Sequence, residues 1–237
     1  MIFSRATLDN CAAATGTVVV IDVLRAFSTA AYAFAAGVSE ILLVREVEEA
    51  EALRLQFPEA RITGEVGGRH VPGFDFGNSP GELMGADLAG RRLIQRTSAG
   101  TQGVVLSSAA DHLLAASLVC ASATAAYIRR LAPEQVTFVI TGQSDPSTWD
   151  ADEDAACADY LEALLQGEDP APELFIDQNK IIERVRNSPT GLLFADPEAL
   201  HLPLPDLEYC LQINRFDFAM PVRRQNGLVV LSRVRPG

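Results

Sequence analysis

Asp22 ends the run Thr17-Val-Val-Val-Ile, where a carboxylate is costly to bury unless it meets a cation, a metal ion or good hydrogen-bond donors. Arg25, three residues on, can fork onto a phosphate or pair with Asp22. A second set lies in GEVGGRHVPGFDFGNSPGE from Gly64, where Glu65 and Asp75 could hold a metal beside Arg69, His70, Asn78 and Ser79 as donors to an anion. Thr97-Ser98-Ala99-Gly100-Thr101 offers hydroxyls and backbone N–H groups at a helix start, which makes it a candidate oxyanion cradle, though no Walker Gly-Lys-Ser/Thr occurs. Ser122 stands at a further helix start. In Asp150-Ala-Asp152-Glu153-Asp154, Glu153 or Asp154 could serve as a metal ligand or as a base for water. This many carboxylates would repel a phosphate unless a divalent ion intervened, and Mg²⁺ takes oxygen ligands of this kind. The chemistry indicated is metal-assisted phosphoryl transfer to water, with Asp22, Glu65, Asp75 and Asp154 as the metal set.

Each group also has a structural use. Asp22 and Ser79 can cap helices, Asp75 and Asn78 can make Asx turns, D-x-x-E is a capping box, and Arg69 and His70 can be solvated.

The elements that must position these residues alternate. Thr17–Asp22 predicts a buried strand, followed by an alanine-rich helix closing at Gly37; Glu40–Val44 predicts a strand and Glu46–Phe57 a helix stopped by Pro58. From Thr63 to Gly81 the periodicity vanishes, and the loop ends on a helix start with Ser79 as cap, Pro80 first in the helix and Glu82 as capping-box partner. Strands are expected over Arg92–Arg96, Leu113–Val119 and Val136–Ile140, and helices from Ser122 to Leu131, Asp152 to Leu165 and about Pro172 to Val185. Strand-like Tyr209–Ile213 and Gly227–Val234 predict antiparallel pairing at a sheet edge, and an exposed apolar edge there could carry a homodimer. The fold class is α/β, a three-layer α/β/α arrangement with a mostly parallel mixed sheet. In such sheets loops converge outside the carboxyl ends of the strands, so one pocket could collect most of these polar residues. Residues 1–237 are taken as one unit, either one domain or two closely packed lobes.

With 237 residues and 48% apolar content the chain can build a full core. Its 19 basic and 31 acidic residues leave a net charge of −12, which opposes attraction to nucleic acid or an anionic membrane, so arginines must bind any anionic substrate locally. Cys11, Cys120, Cys157 and Cys210 show no C-x-x-C pair and read as buried free thiols, in keeping with a cytoplasmic location. No apolar run reaches membrane-spanning length, and MIFSRATLDN lacks the features of a signal peptide.

DVLRAFSTAAYAFAAG from Asp22, GEVGGRHVPGFDFGNSPGEL from Gly64, RTSAGT from Arg96, CASATAAYI from Cys120 and EDAACADYL from Glu153 together resemble the 2-phosphosulfolactate phosphatase family, with a weaker echo in Pro205-Asp206-Leu207-Glu208-Tyr209-Cys210. The resemblance implies a Mg²⁺-dependent hydrolase that removes phosphate from 2-phospho-3-sulfolactate in the route to coenzyme M. The matching positions are Asp22, Arg25, Glu65, Asp75, Asn78, Ser79, Thr97, Gly100, Thr101, Ser122, Glu153 and Asp154. The family usually shows Gly-Glu-Arg where this chain has Gly64-Glu65-Val66, Thr-Thr-Asn-Gly-Thr where it has Thr97 to Thr101, and an Asn near Thr124 or Ala125. Those losses leave two alternatives open, a different small 2-phospho-carboxylate as substrate or a non-catalytic sensor of an anionic metabolite. Direct water attack and an aspartyl-phosphate on Asp22 also both stay open.

Overall fold

The run Thr17–Ile21 forms a strand with every residue buried: Val18 and Val20 enter one apolar cluster, Val19 and Ile21 another. A strand apolar on both faces belongs inside a sheet covered by helices on both sides. The computed structural model describes residues 1–142, 151–167 and 177–237. Along them run β1 (Ile2–Thr7), β2 (Thr17–Ile21), α1 (Ala26–Ala35), β3 (Glu40–Val44), α2 (Val47–Gln56), β4 (Arg61–Val66), β5 (Arg69–His70), α3 (Pro80–Met84), β6 (Arg92–Arg96) and α4 (Gly100–Leu106). There follow β7 (His112–Ala116), α5 (Ala121–Leu131), β8 (Gln135–Ile140), α6 (Asp152–Gln166), α7 (Gln178–Arg186), α8 (Pro189–Leu193), α9 (Leu204–Cys210), β9 (Met220–Gln225) and β10 (Leu228–Leu231). This is the expected α/β class, with one mixed sheet and helices on both faces.

The strand order is β1-β8-β2-β7-β9-β10-β3-β6-β4-β5. Strands β1, β8, β2 and β7 are parallel to one another, as are β3, β6 and β4. The hairpin β9–β10 joins the two groups through antiparallel pairings, so the second group runs opposite to the first. A flat sheet would hold β2 and β6, five steps apart in the order, about 24 Å from each other. Yet Gln95 on β6 donates to the Ala26 carbonyl at 2.9 Å, and a Cβ on Gly100, just past β6, would stand 2.7 Å from Asp22 Oδ2, just past β2. The sheet is therefore coiled, its twist accumulating from strand to strand, around α1. That explains the composition of α1: nine of its ten residues are buried, because the helix is enclosed on all sides and needs no polar face. Outside the coil, α5, α6 and α7 cover β2, β7 and β8, while α2 covers β3, β4 and β6.

Several expectations need correction. Ile2–Thr7, unassigned from sequence, is a strand paired in parallel with β8. Tyr209–Ile213 is not a strand: Pro205 lies in the first turn of α9, where its missing N–H costs nothing, and Tyr209 packs edge-on against Tyr32 at 5.3 Å. The C-terminal antiparallel pair exists but lies mid-sheet between β7 and β3, so the apolar edge expected to carry a homodimer is not there. Within that pair β9 carries Pro221 opposite Leu114, although proline is usual only at sheet edges and bulges. Ser122 is not a cap; Cys120 holds that position, and the Ser122 N–H donates to Asn214 Oδ1 at 2.8 Å. Ser79 does cap α3, but Glu82 turns its carboxylate to the Gly77 N–H and not to the cap residue. Residues 143–150, including Asp150 and most of the expected loop before α6, and residues 172–176 of the expected Pro172–Val185 helix lie outside the described residues. The four cysteines are free and buried, and among the described residues no helix is long and apolar enough to cross a membrane.

Candidate active site

The coil brings the carboxyl ends of β2, β4, β6 and β8 together, although these strands do not all run the same way. Asp22, beyond β2, is 7% exposed and accepts the Ala26 N–H at 2.9 Å. Asp154, in the first turn of α6, accepts the N–H of Val23 at 2.8 Å, of Thr141 at 3.2 Å and of Gly142 at 3.3 Å, fastening α6 to the ends of β2 and β8. Glu153, beside it, is 4% exposed; it faces the hydroxyls of Thr190 and Ser188, and its Oε2 has no hydrogen-bond partner among the described residues.

The electrostatics follow from crowding like charges out of water. Burial, then the Glu65 and Glu153 charges, push the Asp22 carboxyl up to about 7, against the lowering effect of the Ala26 and Gly100 N–H groups. Burial first, then Asp22 and Glu153, hold Asp154 well above the usual carboxylate range, and burial raises Glu153 as well. Among the described residues none of Asp22, Glu65, Glu153 or Asp154 has an ion-pair partner.

Glu65, at the end of β4, accepts the Ser98 N–H at 2.6 Å, the Ser98 hydroxyl at 2.9 Å and the Gly68 N–H at 2.6 Å. The turn after β6 is thus not the free oxyanion cradle expected. The N–H groups of Thr97 and Thr101 go to each other's hydroxyls, that of Ser98 goes to Glu65, and that of Gly100 faces Asp22. The donors are real, but carboxylates occupy those of Ser98 and Gly100, and the Thr97 and Thr101 hydroxyls occupy the other two. Gly100 is needed here because any Cβ would press on both Asp22 Oδ2 and the Ala26 methyl, each at 2.7 Å. Gly100→Ala is expected to displace the Asp22 carboxylate and the start of α1, lowering kcat about 10- to 100-fold and lowering the melting temperature as well, measured by steady-state kinetics and thermal unfolding.

Arg25 does not pair with Asp22 among the described residues. Its Nη1 donates to Asp206 Oδ2 at 2.7 Å, and both side chains are buried. Ser79 donates its hydroxyl to the other oxygen of Asp206 at 2.8 Å, which joins the FGNSP block to the site. Asn78 is buried, with no partner for its Oδ1 among the described residues. Asp75 is not in the carboxylate group: it pairs with Arg54 and Arg61 and accepts the Ile62 N–H, so its charge is spent closing its own loop. Arg69 and Ser122 are exposed, and His70 is exposed with Nε2 3.1 Å from the Phe74 carbonyl. Asp206 and Thr141 were missed as participants. The signal for Asp206 was the acid directly after Pro205 in the weakly resembling PDLEYC segment; nothing marked Thr141.

Buried carboxylates at converging strand ends, beside a buried guanidinium, are the build of an α/β enzyme that acts on a small anionic molecule. The family model described as 2-phosphosulpholactate phosphatase matches residues 3–225. The chain belongs to that family, and so to the phosphoric monoester hydrolases. It is 33% identical over 216 residues to a probable 2-phosphosulfolactate phosphatase of Bacillus subtilis, covering 91% of each chain. A protein of the same description from Carboxydothermus hydrogenoformans is 35% identical over 223 residues, covering 92% of this chain and 91% of its own. One from Deinococcus radiodurans is 42% identical over 124 residues, 52% of each chain.

Proposed function

We propose that this chain is a Mg²⁺-dependent phosphatase that hydrolyses 2-phospho-3-sulfolactate to 3-sulfolactate and inorganic phosphate. The observation that carries the reading is the buried group of Asp22, Glu153 and Asp154 beside Glu65, acids with no ion-pair partner among the described residues. Such a group is costly unless protonated or neutralised by a bound cation, and hard oxygen donors suit Mg²⁺. The fit is one of donor type: Glu153 Oε2 is unpartnered, but no three such side chains among the described residues form a ready-made metal centre. Asp22, Glu153 and Asp154, with Glu65 adjacent, would hold the ion. When bound, Mg²⁺ supplies charge neutralisation at the phosphate oxygens and acidifies water.

The chain's own groups supply the rest. Arg25 offers N–H donors to the charge on the phosphoryl oxygens. The Glu65–Ser98 hydrogen bonds fix one wall of the site. A second reading, a different 2-phospho-carboxylate as substrate, is favoured by Val66, whose side chain is 47% exposed where the resemblance leads one to expect an arginine.

Phosphate release from 2-phosphosulfolactate, phospholactate, phosphoglycolate and 2-phosphoglycerate, each with Mg²⁺ or EDTA, tests both. Turnover of 2-phosphosulfolactate with Mg²⁺ and its loss in EDTA are expected. Preference for a carboxylate lacking the sulfonate selects the second reading, and silence on all four removes the phosphatase reading.

A further inference from the structure

Among the described residues Arg25 is the one buried cation, and three groups from the C-terminal segment hold it. Asp206 Oδ2 accepts from Nη1 at 2.7 Å, the His201 carbonyl accepts from Nη2 at 3.2 Å, and the Phe194 ring centroid lies 5.5 Å from the guanidinium carbon. Asp206 is 1% exposed, and its Oδ1 accepts the Ser79 hydroxyl at 2.8 Å and the Gly81 N–H at 3.1 Å. One carboxylate therefore ties together the segment after β2, the start of α3 and α9.

A buried ion pair is a poor stabilising device, because the cost of removing both charges from water offsets their attraction. It is a good orienting device, because the charge-assisted bond fixes a planar donor array. Of the five N–H donors of a guanidinium, two are engaged here among the described residues, which leaves an edge of the fork for another anion. We infer that Asp206 is a positioning residue: it holds Arg25 so that the remaining donors meet the anionic oxygens of the substrate. The inference rests on the phosphatase reading above for its substrate, but not for its geometry. Gly81 reports on the same contact independently, since a Cβ there would meet Asp206 Oδ1 at 3.1 Å in a backbone conformation open to alanine.

The test compares wild type, Asp206→Asn, Gly81→Ala, Arg25→Ala and the double variant Arg25→Ala/Asp206→Asn. KM and kcat are measured for 2-phosphosulfolactate, and inorganic phosphate binding by calorimetry with and without Mg²⁺. Asp206→Asn, with its carbonyl oxygen kept on the Ser79 hydroxyl and Gly81 N–H, keeps the shape but turns an amide NH2 toward Arg25 Nη1, so the charge-assisted bond to Arg25 is lost. It is expected to raise KM and the phosphate Kd about tenfold, the worth of one charge-assisted hydrogen bond, and to add less than about twofold once Arg25 is gone. A structural role would instead lower the active fraction, so that kcat falls at constant KM and phosphate affinity is unchanged; that result overturns the inference. An equal effect of Asp206→Asn with and without Arg25 overturns it too. If Asp206→Asn does not fold, Gly81→Ala carries the same comparison. If wild type shows no turnover, the phosphatase reading fails, and the phosphate-binding cycle still decides the positioning role.

Discussion

Asp22→Asn is expected to reduce phosphate release by at least about 10³-fold while making the metal-free protein more stable at neutral pH. The loss follows from placing a neutral amide where the site gathers carboxylates at the ends of β2, β4 and α6. The gain follows from linkage. The folded-state value of Asp22 is raised to about 7 from an ordinary 3.8, chiefly by burial. Between those values the unfolded chain has released the proton and the folded protein retains it, so stability falls as pH rises and levels off above about 7. Over that window the penalty is on the order of 4 kcal/mol for this group, shared with Asp154 and Glu153 because the three repel one another. Asparagine can accept the same Ala26 N–H through its carbonyl and does not ionise. Thermal melts in EDTA from pH 4 to 8 should therefore show wild type losing stability along the series and the variant losing much less. A variant less stable than wild type at pH 8 would show that burial is not straining the Asp22 carboxylate.

Much of this arrangement is legible in the sequence, for a physical reason that also marks where legibility stops. Local signals were reliable: the β-branched run before Asp22, Gly37 after α1, and Ser79-Pro80 opening α3 each act within a few residues. Asp22, Glu65, Ser98, Gly100, Glu153 and Asp154 do converge, because carboxylates and turn residues at strand ends are local features that any sheet brings to its rim. What partners each group depends on how the sheet coils, and no local pattern carries that. The Ser98 and Gly100 N–H groups look free in sequence and are taken by Glu65 and Asp22, which arrive from strands far along the chain. Asp75 looks like a metal ligand beside Asn78 and Ser79, but Arg54 and Arg61, more than ten residues upstream, claim it. Arg25 has Asp22 nearby in sequence and Asp206 in space. The C-terminal hairpin reads as an edge for the same reason: its strand-like runs carry no local sign that Met220 and Val222 pack into the core around α1.

Gly64→Ala is expected to be the most destabilising single-methyl change at the site, costing more than about 4 kcal/mol. Gly64 pairs with Arg96 across β4 and β6 at φ +147°, a conformation that L residues avoid, and a Cβ there would lie 1.9 Å from the Arg96 carbonyl oxygen. Backbone stands in the way, so no side-chain rotation relieves the clash; β4 must part from β6. That separation acts directly on the site, because Glu65 is the next residue and reaches Ser98, two residues past Arg96, through its carboxylate. Gly67→Ala provides the contrast. Its φ of +57° is also left-handed, but a Cβ there meets nothing within 4 Å, so the cost is the conformational one of about 1 kcal/mol. Urea unfolding of the two variants should place them several kcal/mol apart, with Gly64→Ala also losing phosphate release in whatever fraction stays folded. Equal destabilisation would mean that the strain of a positive φ, and not the approach of β6 to β4, is what requires glycine at position 64. Glu65 would then owe its placement to Ser98 and Gly68 alone.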